Sequence, residues 1–337
     1  MWQKGYQMSV LKKLNLMLSI IIVAVLCVGC AADSFDGAPY KERTAKYLGL
    51  RDNTGKLVHL ARPPERIVSL ALRSDEILLE MVERKRIISL SKWAADPNVS
   101  NITHLVGDLP CQTLLSEEHI IALKPDLVIV SQSQPYDLVY RLRSLGIPVF
   151  VCPLPRTVQD SKNMILELGN LLGVKERAGE IVAGMEKRLR IIEEKVKLIP
   201  EKQRVVVYRF SISGGSGGKN SSFNDVCNLA GVKNAAAQME FWGTQLMPKE
   251  QIVRLNPDVI LLPTWDYSGE IDIKQYVTNI IEDPSLQTVK AIKEGRLYII
   301  SDKYMLSSSQ YMVNAVEDIY EACYGTGKGL WQNENID

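Results

Sequence analysis

The chain repeats one short pattern in two places, and this repeat restricts the fold more than any other feature of the sequence. Residues 118–130 read EHIIALKPDLVIV, and residues 250–262 read EQIVRLNPDVILL. The positions that are identical in both copies are Glu118/Glu250, Ile120/Ile252, Leu123/Leu255, Pro125/Pro257 and Asp126/Asp258. Each copy predicts a short amphipathic helix that ends before Pro, followed by an apolar strand buried on both faces of a parallel sheet. The repeat therefore predicts two similar α/β lobes with parallel sheets and a ligand-binding cleft between them.

The segments that flank the two copies also correspond. Residues 66–70 and 204–208 predict the first strand of each lobe, and residues 147–151 and 296–300 predict the last strand. Two ordinary α/β stretches that resemble each other by chance are the alternative. The shared order of the flanking strands makes that alternative the weaker explanation.

The N-terminal residues are typical of a secretory signal. Lys12 and Lys13 precede an apolar run over residues 16–28. The run is too short to span a bilayer comfortably as a permanent helix. Met8 is an alternative start, since the residues before it add little to the signal.

The end of this run resembles the lipobox of bacterial lipoproteins, in which a Cys becomes the lipidated first residue of the mature chain. Cys30 occupies that position, although Cys27 stands where the lipobox prefers an aliphatic residue. We predict a signal peptide over residues 1–30, lipidation at Cys30, and a polar tether over residues 31–45 that holds the folded part off the membrane.

The charge of the chain argues against a nucleic-acid partner. Lys and Arg number 40 and Asp and Glu number 39, which leaves a net charge of +1. The charged residues are spread evenly along the chain, and no basic patch of nucleic-acid character is present.

Four cysteines remain beyond the predicted signal peptide: Cys111, Cys152, Cys227 and Cys323. They form no CxxC motif. An extracytoplasmic location permits a disulfide between Cys227 and Cys323, and buried free thiols are an equal alternative.

The predicted domain order places a long helix between the two lobes. Residues 175–198 carry apolar side chains at helical spacing, and a helix of that length is about 35 Å long. Packed on both lobes, it would act as a strut rather than a hinge. The predicted parts are an N-terminal lobe over residues 46–156, linking helices over 157–200, a C-terminal lobe over 201–325 and a polar tail over 326–337.

The chain resembles the substrate-binding proteins of ABC importers, in particular the group that serves ferric siderophores, haem and cobalamin. The matching stretches, in order, are residues 64–70, 123–129, 145–149, 256–261 and 293–298. The resemblance implies two Rossmann-like lobes joined by one rigid helix. It also implies a monomer anchored outside the cytoplasmic membrane that captures a metal chelate as cargo, has no resident cofactor, and delivers the cargo to an ABC permease dimer.

In this family one carboxylate on each lobe docks on the permease. The resemblance places the first at Glu76, just after the first strand. In the second lobe Asn228 stands where a Glu is common, and Asp225 is the expected substitute.

Ligand contacts are expected from loops at the carboxyl ends of the strands. Aromatic and Arg side chains are frequent there, and they can stack on flat chelates and pair with carboxylates. The predicted ligand-binding residues are Arg73, Trp93, Tyr136, Arg209, Trp242, Trp265, Tyr267 and Tyr304.

Three other functions are weaker explanations of this sequence. A bare metal site needs several His ligands, and the chain has only His59, His104 and His119. The glycine-rich run over residues 214–218 superficially resembles a serine-protease loop, but no His lies nearby, so no enzymatic activity is expected. A surface lipoprotein that binds a macromolecule would need a large exposed apolar patch.

Overall fold

A computed structural model describes residues 48–112, 116–212, 217–239 and 247–325. All of them belong to a compact unit that begins at Lys46. The predicted signal peptide, Cys30, the tether and the tail lie outside the described residues. Among the residues described, no helix is long and apolar enough to cross a membrane.

A hairpin precedes the first lobe. Strand β1 (Leu48–Arg51) pairs antiparallel with β2 (Leu57–Leu60). The buried carboxylate of Asp52 accepts the backbone N–H of Thr54 in the turn, at 2.9 Å. It also pairs with Arg143, which fastens the hairpin to the first lobe.

The first lobe is a five-stranded parallel sheet with the order β5-β4-β3-β6-β7. Its strands are β3 (Ile67–Ser69), β4 (Ile87–Ser91), β5 (Cys111–Gln112), β6 (Leu127–Ser131) and β7 (Val149–Cys152). Its helices are α1 (Leu72–Met81), α2 (Thr103–Val106), α3 (Glu117–Ala122) and α4 (Tyr136–Ser144). The strand order reverses between β3 and β6, and such a reversal is where α/β sheets place their ligands.

Two helices join the lobes: α5 (Val158–Leu171) and α6 (Lys175–Lys197). Thr157 caps the first in a capping box with Asp160, which satisfies orphan N–H groups at its start. The two helices pack closely at Gly169, where an added Cβ would lie 2.3 Å from the Cβ of Ala178.

The second lobe is a four-stranded parallel sheet with the order β11-β10-β8-β9. Its strands are β8 (Val206–Arg209), β9 (Lys233–Asn234), β10 (Val259–Leu262) and β11 (Leu297–Ile299). Its helices are α7 (Ser222–Leu229), α8 (Lys249–Leu255), α9 (Ile273–Ile281), α10 (Lys290–Lys293), α11 (Asp302–Met305) and α12 (Met312–Tyr324). The predicted α/β fold of two parallel-sheet lobes joined by a long helix is confirmed.

The repeated Pro-Asp pair has the same structural role in both lobes. The carboxylate of Asp126 accepts the backbone N–H groups of Glu65 and Arg66, at 2.7 and 2.8 Å, just before β3. The carboxylate of Asp258 accepts the N–H of Val206 at the start of β8, at 2.8 Å. Each Asp therefore joins the start of the repeated strand of its lobe, β6 or β10, to the first strand of that lobe, β3 or β8.

The repeated strands are also buried in the same way on both faces. Leu127 and Ile129 of β6, like Val259 and Leu261 of β10, belong to one core that runs through both lobes and the linking helices. The alternate residues of each strand face separate outer cores. A continuous apolar run is what a strand covered on both faces requires.

Candidate ligand-binding site

A cavity of 520 Å³ lies between the lobes at the carboxyl ends of β3, β6 and β10. The first lobe contributes Arg73 and Glu76 from α1 together with polar groups that follow β6. The second lobe contributes Trp265, Tyr267 and the turn over residues 306–308. The volume falls within the range of pockets that hold small molecules.

Three aromatic rings meet across the mouth of this cavity. Trp93, in the 3₁₀ turn Lys92–Ala95 of the first lobe, lies 5.8 Å from Trp265 and 5.2 Å from Tyr267, measured between ring centroids. Trp265 and Tyr267 are 6.0 Å apart. A second cavity of 420 Å³ lies on the other side of the same three rings. The aromatic trio, as we call these rings, therefore separates two chambers of one cleft.

Asp302 fixes the loop that carries Trp265 and Tyr267 by accepting hydrogen bonds from its backbone. One carboxylate oxygen of Asp302, Oδ2, accepts the backbone N–H groups of Thr264 and Trp265, at 2.7 and 3.0 Å. The Thr264 hydroxyl donates to the same oxygen at 3.3 Å. Burial raises the pKa of Asp302, while these hydrogen bonds and the nearby Arg209 oppose that rise.

Arg73 is the predicted cation that the structure brings to the cavity. It lies in the first turn of α1, and its Nη1 donates to the carbonyl of Pro153 at 2.6 Å. Burial lowers the pKa of the Arg73 guanidinium, but an Arg starts so high that it stays charged. Because Arg73 lines the cavity, its positive charge acts on an anionic group that binds there.

Arg209, at the end of β8, does not reach the cavity. Its guanidinium lies 5.2 Å from the ring of Phe223, and its buried Nε and Nη1 have no hydrogen-bond partner among the described residues. Burial lowers its pKa, and Asp302 opposes this. Arg209 is therefore buried near Asp302, and its positive charge favours the ionised form of that carboxylate.

The other predicted ligand residues divide by position. Tyr136 is 72% exposed and stacks on Tyr140 at 6.4 Å, outside the cavity lining. Tyr304 packs on the main core instead of facing the cavity. Trp242 lies outside the described residues. The residues brought together at the cavity are thus Arg73, Trp93, Trp265 and Tyr267.

Several polar residues of the cavity were not predicted. Ser131 ends β6, Ser133 and Gln134 follow it, and Ser307 and Ser308 lie on the opposite lobe. The run SQSQ after a buried strand was a usable signal, because the carboxyl ends of parallel strands converge on the ligand.

The docking role predicted for Glu76 is wrong. Its side chain is only 1% exposed, and Asn101 donates to its Oε1 from both the backbone, at 3.1 Å, and the side chain, at 2.7 Å. Ser307 and Ser309 of the other lobe donate to its Oε2. A carboxylate enclosed in this way cannot reach a cation on another protein.

Asp225 is also used inside the protein. Its Oδ2 accepts the backbone N–H of Val158 at 2.7 Å, at the start of the linking helix α5. Burial raises its pKa. This half-buried carboxylate stabilises the linker and is not the exposed docking acid that we predicted.

Exposed acids do occur at the repeated positions of the two lobes. Glu118 and Glu250 each lie in the first turn of the short helix that precedes β6 or β10, and both are exposed. The identity of these two positions in the repeat was the signal that could have distinguished them from Glu76 and Asp225.

The four described cysteines form no disulfide with one another. In the described part of the chain, Cys111, Cys152, Cys227 and Cys323 are free, and burial raises the pKa of each thiol. Residues 214–216 of the glycine run lie outside the described residues. No group of three or more His, Cys, Asp or Glu side chains converges among the described residues as a metal site would.

Comparison with known proteins places this geometry in a family. The family model described as "Periplasmic binding protein" matches residues 67–304. The uncharacterized ABC transporter substrate-binding lipoprotein YvrC of Bacillus subtilis is 24% identical over 93% of this chain and 98% of its own length. A cobalamin-binding protein of Halobacterium salinarum is 27% identical over 62% of this chain and 57% of its own length.

The fold is shared with solved structures. The periplasmic heme-binding protein RhuT of Roseiflexus sp. RS-1, in its apo form, superposes with a TM-score of 0.65 at 24% identity. The match covers 77% of this chain and 98% of RhuT.

Proposed function

This chain belongs to the periplasmic binding protein family, and we propose that it captures a bulky metal chelate between its lobes and delivers it to the permease dimer of an ABC importer. A substrate-binding role is common to its relatives. The chelate and the permease contact are the specific parts of the proposal.

The observation that carries the proposal is the aromatic trio. Its rings come from both lobes and meet between two chambers. Aromatic faces stack on flat or apolar surfaces, and a ligand that separated Trp93 from Trp265 would join the chambers into one larger site. A ferric siderophore, haem or cobalamin has the required size and surface, and relatives named for cobalamin and heme binding support this class.

Calorimetric melting of the chain from Ala31 onward tests the cargo. The probes are hemin, cyanocobalamin and a panel of ferric siderophores, with zinc and ferric ions as bare-metal controls. A chelate present at a hundred times its dissociation constant should add about 2.7 kcal/mol of stability and shift the midpoint by several degrees. Trp265→Ala should reduce the shift, because it removes one ring of the trio.

The melting experiment can also reject the proposal. If no chelate shifts the midpoint, a surface lipoprotein that binds a macromolecule becomes the better explanation. A shift with bare metal alone would assign a different cargo class.

For the permease contact, we propose Glu118 and Glu250, one on each lobe. They are exposed and occupy equivalent positions of the repeat, so they present similar charges to two similar subunits. Because each helix begins at the carboxyl edge of its sheet, both acids lie on the side where the cleft opens.

Charge reversal tests this contact. Glu118→Lys with Glu250→Lys should abolish transport in cells and leave chelate affinity unchanged. Glu201→Lys, at an exposed position after the linking helices, is the matched control and should transport normally. Loss of chelate affinity in the double variant would contradict a docking role.

Lipid anchoring at Cys30 completes the proposal, supported by the name of YvrC as a lipoprotein. Cys30→Ala should release the protein from the membrane fraction. If the variant stays membrane-bound and keeps its unmodified mass, the anchor lies elsewhere.

A further inference from the structure

Glu76 and Arg73 are the acid and the cation among the described residues that line the cavity, and both lie on α1. We propose that the charge of Glu76 determines which cargo the cavity accepts. The carboxylate form of Glu76 disfavours acidic groups in the cavity, and the protonated form admits them. An acidic chelate should therefore bind more tightly as the pH falls. This inference rests on the proposed function, because it concerns the same cavity.

The position of Glu76 makes its charge felt in the cavity. The carboxyl group is fixed by donors from both lobes, with Asn101 on one oxygen and Ser307 and Ser309 on the other. The carbonyl of Glu76 also accepts from Gln310 of the second lobe, at 2.8 Å. A group held in this way cannot swing away when cargo enters, so its charge acts at a fixed place.

The protonation of Glu76 can change near neutral pH. Burial raises its pKa to about 7, and the donors from Asn101, Ser307 and Ser309 lower it by less. The protonated carboxyl adds no charge beside Arg73, so the lining is then positive. The ionised carboxylate cancels that charge and repels an acidic group, and such repulsion is strong where water is excluded.

The charged and titratable side chains around Glu76 are Arg73, Asp75 and Glu80 on α1 and Tyr311 on the second lobe. Lys303 approaches through its backbone carbonyl, which accepts from Asn101. Asp75 points away to Ser91, and burial raises its pKa to about 8, so it is mostly neutral when Glu76 titrates. Tyr311 donates to Glu80, and the Lys303 ammonium lies 5.8 Å from the ring of Tyr304. None of these groups neutralises Glu76 through an ion pair.

The direction of the pH dependence follows from linkage. An acidic cargo binds the protonated form better, so it raises the pKa of Glu76 on binding, and the two effects are equal in free energy. Affinity should be constant below about pH 7, where Glu76 is protonated in the free protein. It should fall as the pH rises through the interval between the free and the bound pKa.

The test measures dissociation constants from tryptophan quenching between about pH 6 and about pH 8. This range brackets the Glu76 pKa of about 7. The acidic probes are hemin and a ferric tris-catecholate, and the neutral probes are cyanocobalamin and a ferric tris-hydroxamate. An acidic probe that binds should lose about tenfold in affinity over this range, and a neutral probe should lose none. Glu76→Gln should keep the high affinity for the acidic probe throughout.

Glu80→Gln is the matched control. Glu80 is one turn further along α1 and also contacts the second lobe, through Tyr311, but it does not line the cavity. This variant should retain the pH dependence. If Glu76→Gln weakens binding equally at every pH, Glu76 only joins the lobes and the proposal is wrong.

Infrared difference spectra of wild type against Glu76→Gln separate this inference from the proposed function, since they need no cargo. A carboxylic-acid band that disappears as the pH rises through neutrality supports the inference. If a chelate binds but no such band titrates, Glu76 does not cause the pH dependence of binding, and the cargo assignment stands. If no probe binds, both proposals fall.

Discussion

The two lobes share a frame, by which we mean the strands of each sheet and the turns that precede them, and they differ at the cleft. In the frame, Asp126 and Asp258 hold equivalent strands, and Lys124 and Asn256 both adopt a positive φ, of 48° and 44°, before the repeated Pro. At the cleft the likeness ends. The first lobe presents the charged pair Arg73 and Glu76 and a run of Ser and Gln, beside Trp93 and several apolar side chains. The second lobe presents Trp265, Tyr267, one Leu and two Ser, and no charged group among the described residues.

This difference shows what each part of a duplicated fold must satisfy. The frame must pair its backbone groups and bury its strands, and those requirements are the same in both lobes. The cleft must match a ligand whose two sides differ. One charged wall and one uncharged wall suit an amphipathic chelate better than two equal walls would.

The largest expected effect concerns the buried Asp of each lobe. Asp75 has no hydrogen-bond partner at Oδ1 in the described part of the chain, and burial raises its pKa to about 8. Asp302, in contrast, accepts hydrogen bonds from Thr264 and Trp265 and is near Arg209. An Asp in the unfolded chain has a pKa of about 3.9. Between about pH 4 and about pH 8 the native state therefore keeps a proton on Asp75 that the unfolded chain has lost, so the free energy of unfolding should fall as the pH rises through this interval. The slope is at most about 1.4 kcal/mol per pH unit for one such group.

Denaturant unfolding at a series of pH values measures this slope. Asp75→Asn, made in a Glu76→Gln background because Glu76 titrates in the same direction, should flatten the profile more than Asp302→Asn does. Equal flattening by both variants would mean that the two lobes bury their acids at equal cost.

The next prediction tests the equivalence of the two frames. Ile129 and Leu261 occupy the same place in the repeat and are at most 1% exposed. Ile129→Ala and Leu261→Ala should each cost about 3 kcal/mol of unfolding free energy, because each leaves a cavity in the shared core. If one variant costs much less than the other, that lobe unfolds on its own and the core is not shared.

A smaller effect is expected at the repeated Asp. Asp126→Ala leaves two backbone N–H groups without an acceptor, and Asp258→Ala leaves one backbone N–H and the ammonium of Lys290. Each should cost about 2 kcal/mol, the usual value for hydrogen bonds to a charged group. Amide exchange should speed up locally at residues 65 and 66 in the first variant and at residue 206 in the second.

The frame could be predicted from the sequence more fully than the cleft. The fold, the strands of both lobes and the linking helix were predictable, because burial on both faces leaves a visible apolar pattern. Glu76 was misassigned because the family resemblance placed the docking carboxylate just after the first strand, and the sequence there does not reveal that this residue is buried. Its burial depends on Ser307 and Ser309, which lie far away in the chain and come from the other lobe.

The aromatic residues were predictable only in part, for a related reason. Position after a strand places a side chain near the cleft, but the local turn decides whether it points inward. Trp265 faces the cavity because Asp302 fixes its backbone, and Arg209 is buried near the same Asp302 instead of lining the cavity. No pattern within one segment encodes that contact between distant segments.

Tyr267 and Tyr136 provide the finest test of the difference between the two walls. Both follow the repeated strand of their lobe and are similarly exposed, at 64% and 72%, but Tyr267 contacts Trp93 and Tyr136 stacks on Tyr140 outside the cavity. Tyr267→Ala should weaken chelate affinity by about 1 kcal/mol, the typical value of an aromatic contact. Tyr136→Ala should change it by less than about 0.5 kcal/mol, as exposed substitutions usually do. Titration calorimetry with the same chelate compares the two, and an equal loss in both variants would mean that the cargo extends over the rim of the first lobe as far as Tyr136.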